Sequence, residues 1–215
     1  MTSLILASAS PRRQQLLAYL GVPFTVKPSP ADESTFRLSG TPARQTMDSA
    51  RAKALAAADA DEDCWILAAD TVVCVDGAIL GKPDDRDDAR RMLGLLSGRS
   101  HIVTTGLCLY HAGEGGLSSA YEDTAYEETR VWMAELSGSR IEAYLDTGEP
   151  WDKAGAYGIQ GFGGALIPRV EGCYFNVMGL PLHRTAKLLE DAGIETITNP
   201  AHGPGLPGYK EAPRE

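Results

Sequence analysis

Basic residues are in the minority: 20 Lys+Arg stand against 29 Asp+Glu in 215 residues, a formal charge of −9. A protein held to nucleic acid by phosphate contacts needs the opposite sign, so broad nucleic-acid binding is excluded. A small anion gripped by a few local cations is not. Long apolar runs are also missing. Stretches such as Cys64 to Ala69 are the longest, far short of the roughly 20 residues that cross a bilayer. The apolar patch near Met1 precedes the positive charges of Arg12 and Arg13, the reverse of a secretory signal. A soluble, cytoplasmic protein without membrane contact is the expectation. Cysteine is sparse: Cys64, Cys74, Cys108 and Cys173 lie far apart, with no C-x-x-C pair and no His at metal spacing. They read as reduced, mostly buried thiols. No G-x-x-x-x-G-K-[ST] string occurs, which excludes a Walker-type phosphate loop. Internal repeats and low-complexity blocks are absent too.

What the chain does have is an ordinary globular balance, 43% hydrophobic and 23% charged, enough to bury a core. Ser3–Ala7 reads as a short buried strand, and Pro11 opens a helix that carries Leu16, Leu17 and Leu20 at helical spacing up to Gly21. Pro23–Lys27 is a second strand, and Pro28–Thr41 has no period and reads as loop. An Ala-rich helix spans Pro42–Ala58. Trp65–Val75 is a nearly continuous apolar strand, closed by the hairpin signal Asp76-Gly77. Asp85–Leu96 is a helix with its acids first. His101–His111 and Ser119–Trp132 form a long hairpin, Ser137 caps a helix reaching about Asp146, and Gly148–Gly164 is glycine-dense. Two strands, Ala165–Val170 and Tyr174–Val177, are expected around Glu171-Gly172, followed by a helix over Pro181–Ala192 and a frayed tail after Thr198. Strands dispersed among helices, with hairpins, predict a mixed sheet in an α/β fold.

Four constellations stand out. Ser8-Ala9-Ser10-Pro11-Arg12-Arg13 sits between a strand and a helix start, where hydroxyls, free N–H groups and two guanidiniums together suit a polyphosphate; an ordinary Ser cap beside solvated arginines is the competing reading. Asp70, with Thr71, interrupts an apolar strand, and a carboxylate there needs a cation, a metal or a donor unless it simply bonds a turn. Gly81-Lys82-Pro83 follows the hairpin, and standing alone Lys82 reads as surface charge. Glu149-Pro150-Trp151-Asp152-Lys153-Ala154-Gly155-Ala156-Tyr157-Gly158-Ile159-Gln160-Gly161 mixes glycines with acids, a lysine and an amide, as a backbone shaped around a ligand would, or as a packed irregular connection. Lys53, on the Pro42–Ala58 helix, reads by itself as a solvated lysine.

Together with Ser97-Gly98-Arg99-Ser100-His101 and Gly179-Leu180-Pro181-Leu182, and in this order, these segments resemble the Maf family of nucleoside triphosphate pyrophosphatases from Leu4 to about Leu189. The resemblance implies a single domain over residues 1–198 with a disordered tail at 199–215. It implies an elongated, inosine triphosphate pyrophosphatase-like α/β fold with flanking helices and a cleft between two lobes, and a homodimer. It implies hydrolysis of a nucleoside triphosphate to monophosphate and pyrophosphate with Mg²⁺ or Mn²⁺. On this basis Asp70 orients or deprotonates the water, and Arg13, Lys53 and Lys82 surround the triphosphate. Ser8, Ser10, Arg12, Glu33, Thr71, Asp152, Lys153 and Gln160 bind substrate, and Asp70 and Glu33 are the carboxylates offered to the metal. Arg12, Thr71 and Gln160 side with the dTTP/UTP branch of the family rather than with the 7-methyl-GTP branch. Two other readings compete: a nucleotide-binding regulator of cell division without turnover, and a house-cleaning pyrophosphatase for modified purines.

Overall fold

The computed structural model describes residues 3–31, 39–58, 64–111 and 121–197. Along the chain come β1 (Ser3–Leu6), α1 (Pro11–Ala18), β2 (Phe24–Val26), α2 (Pro42–Ala57), β3 (Cys64–Val75), β4 (Ala78–Leu80), α3 (Arg86–Leu96), β5 (Ser100–His111), β6 (Tyr121–Trp132) and α4 (Gly138–Leu145). Short 3₁₀ turns at Glu149–Asp152, Ala154–Ala156 and Gly161–Leu166 lead to β7 (Arg169–Glu171), α5 (Tyr174–Val177) and α6 (Leu182–Asp191). Helix starts follow local chemistry. Ser10, Thr41, Asp85 and Ser137 each accept a hydrogen bond from the backbone N–H three residues on, which satisfies a donor the helix itself cannot. At Asp76-Gly77 both residues have positive φ, +49° and +81°, the backbone a tight turn between antiparallel β3 and β4 requires.

Seven strands form one mixed sheet in the order β2-β1-β3-β5-β6-β7, with β4 paired to β3. β1 runs parallel to β2 and β3, and the remaining pairs are antiparallel. The expected mixed α/β sheet with flanking helices is therefore present. Three apolar clusters cover it. Ala50, Ala54 and Ala57 of α2 pack with Ile66, Ala68 and Cys108 on one face. Leu16 and Leu17 of α1 and Leu188 and Leu189 of α6 pack with Leu67, Ala69 and Leu107 on the other. At the far end of the long strands, α3 and α4 close over Val73, Val75, Val103 and Val131. The handover between clusters falls inside β3, between Ala69 and Val73, so Asp70 interrupts the apolar strand where two cores part.

Two expectations are corrected. Tyr174–Val177, aromatic and β-branched enough to read as strand, is the helical turn α5. There Asn176 is fully buried, and its side-chain N–H₂ donates to Val103 O and Thr129 Oγ1, both at 2.9 Å. That tertiary anchoring outweighs local propensity. Of Ala165–Val170 only Arg169 and Val170 are strand, because Gly161–Leu166 is 3₁₀. The loop after His111, the segment containing Glu33 and the tail from residue 198 lie outside the described residues. Cys64 and Cys108 are buried, whereas Cys74 and Cys173 are partly exposed; burial pushes the Cys108 thiol up to about 12. No helix among the described residues is long and apolar enough to cross a membrane.

Candidate active site

Side chains alternate across a strand, so consecutive residues of β3 serve opposite faces. Asp70 turns to the face covered by α2, where Lys53 Nζ donates to its Oδ1 at 2.6 Å. Asp70 Oδ2 accepts no hydrogen bond among the described residues. Lys53 is only 7% exposed, which corrects its reading as a solvated lysine. It lies on the same helical face as Thr46, Ser49, Ala50 and Ala57, and a stem on that face reaches the sheet. Close approach is possible because Gly106, the register partner of Asp70, lies beneath α2. A Cβ there would stand 2.4 Å from Met47 N.

Thr71 turns the other way and meets Arg13 of α1. The guanidinium donates from Nε to Gly179 O at 2.9 Å and from Nη2 to Thr71 Oγ1 at 3.1 Å, with Nη1 3.5 Å from Ser8 Oγ. Thr105 Oγ1 lies 2.9 Å from Thr71 Oγ1 and donates to Asn176 O at 3.1 Å. A hydroxyl has one hydrogen, so Thr71 is the donor toward Thr105. The chain is directed: Arg13, Thr71, Thr105, Asn176 carbonyl. Arg12 reaches across to Asp152, with Nη1 2.8 Å from Oδ2, and Lys153 Nζ donates to Asp152 Oδ1 at 2.6 Å. Partial burial opposes ionisation of Asp152, but the hydrogen bonds from Lys153 and Arg12 outweigh it and hold the carboxyl below its usual value.

These elements enclose a cavity of about 690 Å³. Ser8, Ser10, Arg12 and Arg13 line it from the start of α1, Lys53 from α2, and Asp70 and Thr71 from β3. Lys82 closes it from the β4–α3 connection, and Asp152, Lys153 and Gln160 from the late glycine-rich loop. Every residue expected at the site lines this cavity except Glu33, which lies outside the described residues. Its walls carry Arg12, Arg13, Lys53, Lys82 and Lys153 against Asp70 and Asp152, an excess of positive charge in a protein of net charge −9. Lys82 is exposed and has no ion partner among the described residues, so its ammonium is available to a ligand. No cluster of three His, Cys, Asp or Glu side chains exists among the described residues, so no all-protein metal cage is formed there.

The sequence profile of the family described as Maf-like protein matches residues 3–192. The chain belongs to this family. A relative from Moorella thermoacetica named dTTP/UTP pyrophosphatase is 49% identical, over 91% of this chain and 97% of its own. A second of the same name, from Symbiobacterium thermophilum, is 48% identical over 94% of this chain and all of its own. A solved HAM1 protein structure from Coxiella burnetii gives a TM-score of 0.45 at 18% identity, covering 78% of this chain and 81% of that one, too loose a likeness to bear on the site.

The structure also brings to the site residues that sequence reasoning passed over. Thr105 and Asn176, which complete the support of Arg13, carried no local signal, since a β-branched residue in a strand and an Asn near a turn are ordinary. His101 Nε2 lies 2.6 Å from the Tyr157 hydroxyl beneath the cavity, and burial lowers the imidazole to about 4, so it is neutral. Its Nδ1 has no hydrogen-bond partner among the described residues. Tyr157 itself lines the cavity, and burial raises its phenol. A neutral pair there supports the wall without adding charge.

Proposed function

We propose that this chain hydrolyses pyrimidine nucleoside triphosphates, dTTP and UTP, to the monophosphate and pyrophosphate. The observation that carries the reading is the cavity's excess of cations over its two carboxylates, Asp70 and Asp152, in a chain 48% and 49% identical to proteins named dTTP/UTP pyrophosphatase. Phosphoryl transfer asks mainly for positioning and charge neutralisation. Arg13 is fixed by Gly179 and Thr71 and meets phosphate oxygens in a set orientation. Lys82 neutralises charge that develops on the leaving pyrophosphate. Ser8, Ser10 and the Arg12 N–H, left unbonded among the described residues at the start of α1 by the Ser10 cap, hold phosphate oxygens. A water held at Asp70 Oδ2 gives its proton to that oxygen while its own oxygen bonds the α-phosphorus, and the bond from the α-phosphorus to the bridging oxygen breaks. Lys53 at Oδ1 fixes the carboxylate's orientation.

The donor set fits a hard divalent cation that takes most of its ligands from water and the triphosphate. Asp70 would hold it, with Glu33 as the second carboxylate expected from sequence. Mg²⁺ or Mn²⁺ bound there would neutralise triphosphate charge and act as a Lewis acid on the phosphorus centre.

Gln160 is exposed in the cavity wall and makes no side-chain hydrogen bond among the described residues. An amide both donates and accepts, which matches the adjacent carbonyl and N–H on the pairing edge of uracil or thymine. The test is kcat/KM for dTTP, UTP, CTP, GTP and 7-methyl-GTP with Mg²⁺ or Mn²⁺. dTTP and UTP are expected to lead. Preference for 7-methyl-GTP refutes the base assignment, and absence of pyrophosphate from every nucleotide refutes turnover.

A further inference from the structure

The loop that presents Gln160 is wrapped around a single carboxylate. Glu149 Oε2 accepts the Phe162 backbone N–H at 2.8 Å, and Oε1 accepts the Gly163 N–H at 3.1 Å and the Tyr144 hydroxyl at 2.8 Å. The same hydroxyl accepts the Gly158 N–H at 3.0 Å; burial raises the Tyr144 phenol, so the proton it donates to Glu149 stays on. The glycine spacing is explained by this wrapping. A Cβ on Gly161 would stand 2.4 Å from Glu149 Oε2, and one on Gly158 or Gly163 would stand 3.0 Å from Oε1. A side chain at Gly161 would force the loop off the carboxylate, and one at Gly163 would also stand 2.2 Å from the Gly158 carbonyl oxygen. Gly161 also has φ +63°, a backbone that L side chains rarely adopt. From the other direction, Lys153 Nζ donates to the Glu149 carbonyl at 2.6 Å, which ties the clamp to Asp152 and Arg12.

Glu149 itself does not line the cavity. Gln160 lies between the clamped Gly158 and Phe162, and its own side chain has no described partner, so only the backbone around it sets its position. We infer that Glu149, with Tyr144, is a positioning residue that sets base selectivity by holding the Gly158–Gly163 backbone, and thereby Gln160, in register with the base. This rests on the proposed reading of Gln160 as the group that meets a pyrimidine. Arg13, Lys53 and Asp70 are held by bonds that do not involve Glu149, and Arg12 meets the clamp only through Asp152 and Lys153, so the clamp acts chiefly on the base end of the ligand.

The test is Glu149→Gln. A Gln side chain keeps one acceptor oxygen, but its –NH₂ cannot accept from an amide, so Phe162 or Gly163 loses its partner. Loss of one charge-assisted hydrogen bond is expected to lower kcat/KM for UTP about tenfold, mostly through KM, while kcat/KM for GTP falls by less than about threefold. Hydrogen exchange at the Phe162 and Gly163 amides should accelerate about tenfold by the same loss. Tyr144→Phe, which removes one hydroxyl and keeps the ring's packing, must move the UTP-to-GTP ratio in the same direction. Equal losses for UTP and GTP, or an unchanged ratio in both variants, overturn the inference. Amides that stay protected in Glu149→Gln overturn the clamp regardless of substrate. Failure of the wild-type protein to turn over dTTP and UTP, with the amides deprotected as expected, would strike the proposed function instead.

Discussion

Replacing Asp70 by Asn changes the fewest atoms at the centre of the cavity and separates the two things the carboxylate does. Its Oδ1 takes a 2.6 Å bond from Lys53, in a pair whose side chains are only 9% and 15% exposed. The amide oxygen of Asn can still accept from Lys53, so folding keeps a hydrogen bond and loses the charge interaction, while the desolvation cost of the carboxylate is also recovered. The net effect on stability is expected to be about 2 kcal/mol, or roughly 4–8 °C in Tm for a chain of this size. Catalysis is hit harder, because an uncharged amide cannot take a proton from water. A loss of ~10²–10⁴ in kcat, about 3–5 kcal/mol of barrier, is expected. KM for the nucleotide should not rise, since the substitution removes a negative charge from a pocket that receives a triphosphate. The assay is pyrophosphate release under saturating dTTP, with a thermal melt on the same preparation. A folded Asp70→Asn protein within about threefold of wild-type kcat, or one whose loss lies entirely in KM, would refute the general-base role.

Lys82→Ala removes the one cavity ammonium without an ion partner among the described residues and should lower kcat/KM about 10²-fold with Tm unchanged, measured by the same assay; no change in turnover or affinity would return Lys82 to surface charge. Gln160→Glu can only accept when ionised, so the advantage of UTP over GTP should shrink by about tenfold or more while kcat at saturation holds. Gly106→Ala places a Cβ 2.4 Å from the backbone of α2 and should cost at least about 3 kcal/mol on chemical denaturation, with activity lost as Lys53 moves off Asp70. His101 titrates near 4 when folded against an ordinary 6.5, so the unfolded chain takes up the proton first, and stability falls as pH drops from 6.5 to 4. The share due to this residue is on the order of 3 kcal/mol, read as the difference in pH dependence of unfolding between wild type and His101→Gln.

How far the molecule was readable from its residues differs from place to place, for physical reasons. Asp70 was conspicuous because a charge inside an apolar strand demands a partner, and the start of α1 was marked by Ser10-Pro11, a cap and a first-turn proline. Lys53 was misread alone, since lysines on helices are usually solvated, although its spacing from Ser49, Ala50 and Ala57 put it on the buried face. Tyr174–Val177 was misread because its residues favour strands, while two hydrogen bonds from buried Asn176, invisible to any local pattern, make it a helical turn. The late glycines were visible as a cluster. Their reason was not, because it lies in the approach of residues 158–163 to a carboxylate earlier in the chain, and only the folded backbone shows that distance.

In the proposed reaction, water attacks the α-phosphorus of a pyrimidine triphosphate in this cavity. Hydrolysis of UTP in H₂¹⁸O, with mass analysis of the products, reads the point of attack directly. ¹⁸O is expected in UMP and none in the released pyrophosphate. Label in pyrophosphate with UMP unlabelled, or UDP and labelled phosphate as the products, would contradict it.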